Sequence, residues 1–116
     1  MTGTTPAYVL GEFETLIVLA VLHLAEQRQD ANGSAIRDEI ELRTGRSVPR
    51  GSIYVTLDRL EEKGLLMSRE GGTSAARENR PKRLFKATPG GVRAVKTAVA
   101  TVTRMHRGLE TVLGRL

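Results

Sequence analysis

A change of hydrophobic period at Gly64 limits what this chain can fold into more than any other feature. Before it, apolar residues recur at helical spacing. After it come two short strand-like runs, Leu65 to Arg69 (LLMSR) and Arg83 to Ala87 (RLFKA). Between them lies Glu70 to Lys82, EGGTSAARENRPK, with Gly71-Gly72, Pro81 and nothing to bury, so the spacing predicts a hairpin with a flexible loop. Arg77, Arg80 and Lys82 stand in that loop, with Arg69 and Arg83 at the strand ends. Helices followed by a hairpin with a basic tip make a winged helix-turn-helix, so the expected fold is mainly α with a small β-hairpin.

The segment preceding the change, Val48 to Leu65, is the centre of this arrangement. As a helix it aligns Ile53, Leu57 and Leu60 in one apolar stripe. Gly51, Ser52, Val55 and Arg59 point the other way, with Tyr54 and Thr56 on the flanks. Pro49 suits a first turn and Gly64 a left-handed stop. An outward face that begins with small residues and then carries a long cation is the shape a helix needs beside a nucleic-acid groove. Taken alone, the stretch is equally an ordinary amphipathic surface helix.

Upstream, Glu12 to Glu26 reads as a helix with little polar face, and burial on nearly all sides is the first hint of a dimer. His23 within it is expected at the edge of the core rather than on a metal. A second helix opens at Gly33-Ser34, with Ser34 as the cap, and ends at Gly45. Ala35, Ile36 and Ile40 face inward, while Arg37, Asp38, Glu39 and Glu41 stay wet. The short link Arg46-Ser47-Val48 packs this helix against the next. Gly90 to Leu116 reads as one long helix in which Val92, Val95, Val99, Val102, His106, Leu109, Leu113 and Leu116 follow alternating steps of 3 and 4. That heptad seam requires a partner helix, and together with Leu16 and Leu19 it forms the expected homodimer interface. Gly108 and Gly114 weaken its end. His106 is either a polar register-setter or the place where paired helices diverge.

Charge is segregated along the chain. Residues 1–44 hold three Arg against seven acids, and residues 45–96 hold twelve Lys/Arg against five, within a net charge of +5. The excess sits on the third helix and the hairpin after it, and a polyanion is its natural partner. Aromatics are only 3%, which argues against stacking platforms for single strands. The absence of cysteine removes disulfides, thiolate zinc sites and cysteine nucleophiles. The two histidines fall on separate helices, and neither Gly-Gly pair has the pattern of a phosphate loop, so no enzyme, metal or cofactor is expected. A membrane-surface role fits poorly, because the cations sit on a hairpin rather than opposite an apolar stripe. With no signal-peptide pattern and no apolar run of membrane length, the expected location is cytoplasmic.

Four blocks carry a resemblance to a known family: LGEFE at Leu10–Glu14, GSAIRDEIE at Gly33–Glu41, RGSIYVTLDRLEEKGLL at Arg50–Leu66 and RLFKATPGG at Arg83–Gly91. In this order the chain resembles the PadR-like transcriptional regulators, in particular shorter members with a single C-terminal dimerisation helix. The third block, with Gly51, Tyr54, Leu57, Arg59, Leu60, Glu61 and Gly64, is the most specific. The resemblance implies a homodimeric winged helix on a palindromic operator, usually a repressor relieved by a small molecule or stress signal. It maps recognition positions to Arg50, Ser52, Tyr54, Thr56 and Arg59, and wing positions to the basic loop and Arg83. Where relatives often carry paired tyrosines and a leucine on the second wing strand, this chain has Leu84, Phe85 and Ala87. It has no Trp, so the aromatic drug sandwich of some relatives lacks its side chains.

Together these readings give a flexible arm at 1–9, a winged-helix domain at 10–88 and a dimerisation helix at 89–116. The expected partners are double-stranded DNA with an inverted repeat, a second copy of the chain, and a small-molecule effector placed by default between the first and last helices. The alternative is a winged helix that docks another protein without specific DNA binding.

Overall fold

The computed structural model describes residues 9–71 and 82–116. The chain runs α1 (Glu12–Glu26), α2 (Gly33–Thr44), α3 (Arg50–Glu62), β1 (Leu66–Gly71), β2 (Lys82–Ala87), α4 (Pro89–His106) and α5 (Glu110–Arg115). The strands form a two-stranded antiparallel hairpin, with Leu66 opposite Ala87 and Ser68 opposite Phe85. Its base meets the helical core, since the Phe85 N–H donates to the Ala31 carbonyl at 2.9 Å.

Ile17, Val18, Val21 and Leu24 of α1, Ile36 and Ile40 of α2, and Ile53, Leu57 and Leu60 of α3 form the centre of one aliphatic core. Each such side chain stabilises the fold by ~1.5–3 kcal/mol relative to exposure. Leu66 and Phe85 bring the hairpin into the same core, and Ala94 and Val95 bring in the start of α4. Glu14 joins the ends of two helices. Its carboxylate accepts from the Gly11 N–H at 3.1 Å, half of a capping box, and from Lys63 Nζ at 2.9 Å.

The junction into α4 is the tightest point. Gly64 takes φ 76°, Thr88 Oγ1 donates to its carbonyl at 2.7 Å, and the Thr88 N–H donates to the Leu65 carbonyl at 3.2 Å. Thr88 then caps α4 by accepting from the Gly91 N–H at 3.0 Å. A Cβ on Gly91 would lie 2.0 Å from the Leu65 carbonyl oxygen, so only glycine lets α4 start this close.

Several expectations need correction. The α2 cap is Asn32, whose side chain accepts from the Ala35 N–H at 2.9 Å; Ser34 lies inside the helix and is exposed. Glu39 is buried at 6% exposure rather than wet. Gln27 and Arg43 both donate to its carboxylate, which offsets the cost of burying it. The last helix is not continuous to the end. It stops at His106, Gly108 turns left-handed at φ 91°, and the short α5 follows. Glycine weakens the helix there, and the Glu110 carboxylate offers the Gly108 N–H a local partner at 2.9 Å. The expected heptad seam is therefore interrupted between His106 and Leu109.

Candidate nucleic-acid interface

The start of α3 is set by α2. Arg37 Nε donates to the Val48 carbonyl at 2.7 Å, and the Val48 N–H donates to Glu41 Oε2 at 2.8 Å. Two side chains one helical turn apart thus hold both backbone groups of the turn residue, whose own side chain is buried. Pro49 precedes the first turn in extended conformation, and among the described residues no side chain caps α3. Arg46 anchors the other side of the turn to Glu12 at 2.9 Å. That hydrogen bond and the adjacent charge raise the Arg46 pKa and lower that of Glu12.

On α3 itself, Gly51, Ser52, Val55 and Arg59 are exposed, as the wheel predicts, and so is Arg50. Open space surrounds Gly51, so another surface can approach the backbone there. Tyr54 is 40% exposed, and its ring crosses Gly33 so closely that a Cβ there would lie 2.6 Å from it. This glycine lets the tyrosine lie across the start of α2. Thr56 departs from expectation. It is 6% exposed, turned into the core beside Ile53 and Leu57, and cannot reach a groove.

The hairpin stands against α3. Arg83 of β2 donates to Asp58 Oδ1 at 2.8 Å and also to Glu61 of the same helix, with its guanidinium 4.8 Å from the centre of the Phe85 ring. Ser68 of β1 donates to the second Glu61 oxygen at 2.7 Å. The Ser68 hydrogen bond is the strongest influence lowering the Glu61 pKa; burial opposes it, and Arg83 adds to it. For Arg83, burial pulls the pKa down, but the bonds to Asp58 and Glu61 outweigh it and raise the value. Hydrogen bonds across the helix–hairpin contact thus place the hairpin beside the exposed face of α3. Arg69 is exposed and Lys82 half-buried at the outer end of the hairpin. Arg77 and Arg80, also expected on the wing, lie outside the described residues.

A second feature lies on α1 and α4. Leu16, Leu19 and Val92 are half-buried, and Val99, Val102 (69% exposed), Met105, Leu109, Leu113 and Leu116 are exposed. Grooves of about 490 Å³ and about 660 Å³ run on either side of the line where α4 crosses α1. Of the expected interface residues, Val95 is already buried in its own chain, and His106 is exposed at the helix break. Met105 belongs to the exposed apolar set although the heptad count omits it. No described helix is long and apolar enough to cross a membrane, and no group of described side chains is placed to hold a metal.

The sequence reading missed the roles of Asp58, Glu61 and Ser68. Its available signal was the spacing of Asp58 and Glu61, three apart on one helix face with an arginine on the following hairpin.

The family model "Transcriptional regulator PadR-like family" matches residues 21–97. Among solved structures, the chain is similar to a PadR family transcriptional regulator from Eggerthella lenta DSM 2243, with TM-score 0.60, 24% identity, and 83% of this chain and 81% of that one covered. It is similar to a PadR family transcription regulator from Clostridium difficile R20291, with TM-score 0.65, 20% identity and coverage of 89% and 99%. It is also similar to F93 from STIV, a winged-helix DNA-binding protein, with TM-score 0.62, 16% identity and coverage of 85% and 97%. The fold is thus that of winged-helix proteins. No curated protein matches the sequence.

Proposed function

Because the chain belongs to the PadR-like family of transcriptional regulators, and so is a DNA-binding regulator rather than an enzyme, we propose that it acts as a homodimeric repressor on an inverted-repeat operator. Two copies of α3 enter successive major grooves, ~34 Å apart along the duplex. Arg59 and Arg50 read guanine edges, each contact worth ~1–3 kcal/mol of discrimination. Ser52, Tyr54 and the uncapped first turn of α3 hold phosphates. Arg69, Lys82, Arg77 and Arg80 follow the backbone or minor groove and add salt-dependent affinity.

Residues 10–88 form the DNA-binding domain and residues 89–116 the dimerisation segment; the arm expected at 1–9 lies, up to residue 8, outside the described residues. The exposed apolar face of α4, together with Leu16 and Leu19, supports pairing, because Val102 and its neighbours bury little within one chain. A small apolar effector would act in the grooves beside α4, changing the angle between α4 and the body and hence the spacing of the two α3 helices.

One observation carries the DNA-binding geometry: the hairpin and the exposed face of α3 are joined by Arg83 rather than set on opposite sides of the molecule. Selection of bound fragments from random and genomic DNA at two salt concentrations tests the reading. Enrichment of an inverted repeat, with steep loss of binding at the higher salt, is the expected outcome. Weak, salt-insensitive retention without a motif would favour a winged helix that docks another protein.

A further inference from the structure

The family resemblance places Arg83 among the residues that touch DNA. The geometry points to a different role: Arg83 is the positioning residue that locks the wing to the recognition helix, and it makes no phosphate contact of its own. This rests on the reading that α3 and the hairpin bind DNA together.

Arg83 is a fork with two prongs engaged. One nitrogen bonds Asp58, the other bonds Glu61, and the guanidinium plane lies over Phe85. Two of its five N–H donors are held by carboxylates, and a phosphate drawn to the others would have to lie beside the Asp58 and Glu61 charges, which repel it. Its positive charge is matched locally by two negative ones, so the cluster as a whole does not attract a polyanion. The cluster also extends beyond β2. Glu61 takes the Ser68 hydroxyl with its other oxygen, so one carboxylate of α3 contacts both strands.

Strand alternation explains the placement. Arg83 and Phe85 are two apart and share the face turned to the core, whereas Lys82, Leu84 and Lys86 share the other. Leu84 is buried too, but it is Phe85 that joins the helical core, and its cross-strand partner Ser68 bonds Glu61, so these fix the inner face and Arg83 is held over the Phe85 ring. Lys82, on the alternate face and without the fork geometry, remains the better candidate for a phosphate.

The test compares the full chain with R83Q, R83K, D58N/E61Q and D58N/E61Q/R83Q. Its first arm uses no DNA. Amide exchange of the hairpin is expected to accelerate in R83Q, in R83K (which keeps the charge but not the fork) and in D58N/E61Q. Unchanged hairpin exchange in R83Q would overturn the inference.

The second arm uses a labelled duplex carrying the sequence that the wild-type chain selects from a random library. R83Q should bind it roughly threefold to thirtyfold less tightly, with the slope of log K against log salt unchanged. In the D58N/E61Q background the same substitution should cost almost nothing, because the lock is already open. A slope shallower by about 0.9, with the same loss in both backgrounds, would put Arg83 on a phosphate and end the proposal. If the wild-type chain selects no duplex, the DNA-binding geometry fails, while the exchange arm still decides whether Arg83 holds the wing.

Discussion

Replacing Gly91 by Ala should be among the most damaging small substitutions in this chain, and its cost follows from one distance. The added Cβ would sit 2.0 Å from the Leu65 carbonyl oxygen, whereas ordinary contact begins near 3.4 Å, so α4 or the link from α3 to β1 must retreat by about 1.4 Å. The obstacle is backbone, which cannot swing aside. Overpacking of this kind costs ~1–3 kcal/mol. The retreat also stretches the Thr88 N–H bond to Leu65 and the Thr88 hydroxyl bond to Gly64, each worth ~0.5–1.5 kcal/mol. Alanine in a helix returns ~0.5–1 kcal/mol. The net loss is about 1–5 kcal/mol, a large share of the ~5–15 kcal/mol that holds a domain together. Gly90 is the internal control, because its added Cβ meets nothing nearer than 3.7 Å and G90A should be neutral or slightly stabilising. Urea unfolding at a fixed protein concentration measures both, since pairing makes stability depend on concentration. A G91A chain within about 0.5 kcal/mol of G90A would refute the account of the junction.

Gly51→Ala separates stability from binding. The methyl group meets open space and raises helix propensity, so the melting temperature should rise while affinity for the selected operator falls; a gain in both would remove Gly51 from the DNA face. Arg59→Ala should weaken operator binding by ~1–3 kcal/mol and relax sequence preference, read by competition with single-base variants, and an unchanged preference would exclude it as a base reader. Val102→Asp places a charge in the exposed apolar face and should raise the dimer dissociation constant tenfold or more in sedimentation, whereas an unchanged constant would move the interface elsewhere. Glu14, Glu39 and Glu61 all have pKa values lowered below the ordinary 4.5. Their stabilisation is therefore fully present above that value and lost as pH falls through the lowered folded values. The urea midpoint should stay level from neutral pH down to about pH 5 and decline below 4.5, and a midpoint level down to about pH 3 would contradict these assignments.

Periodicity made most of the fold legible. The bounds of α1, the Ile53–Leu57–Leu60 stripe and the left-handed stop at Gly64 all follow from spacing and glycine chemistry. Two misreadings have one cause. Glu39 and Thr56 each stand three residues after a buried isoleucine and one before another buried aliphatic, which puts them about 70–80° from the centre of the apolar stripe. That angle is a flank position where residue type favours solvent, and the neighbouring elements close over both side chains. Gln27 and Arg43 supply the partners Glu39 needs, and Gln27 is twelve residues away, beyond the reach of local pattern. The break at Gly108 has a visible signal, but a seam counted only by apolar positions passes over it. Arg83 is the instructive case. A basic hairpin suggests DNA for every cation on it, yet strand parity assigns this one to the inner face with Phe85.

The central claim is that paired copies present two α3 helices in step with a turn of duplex. Its most direct measurement is the stoichiometry and footprint of the full chain on the DNA it selects. The account predicts two protomers per site and protection of two half-sites centred ~34 Å apart on one face of the duplex. One protomer per site, or a single protected half-site at saturation, would contradict it.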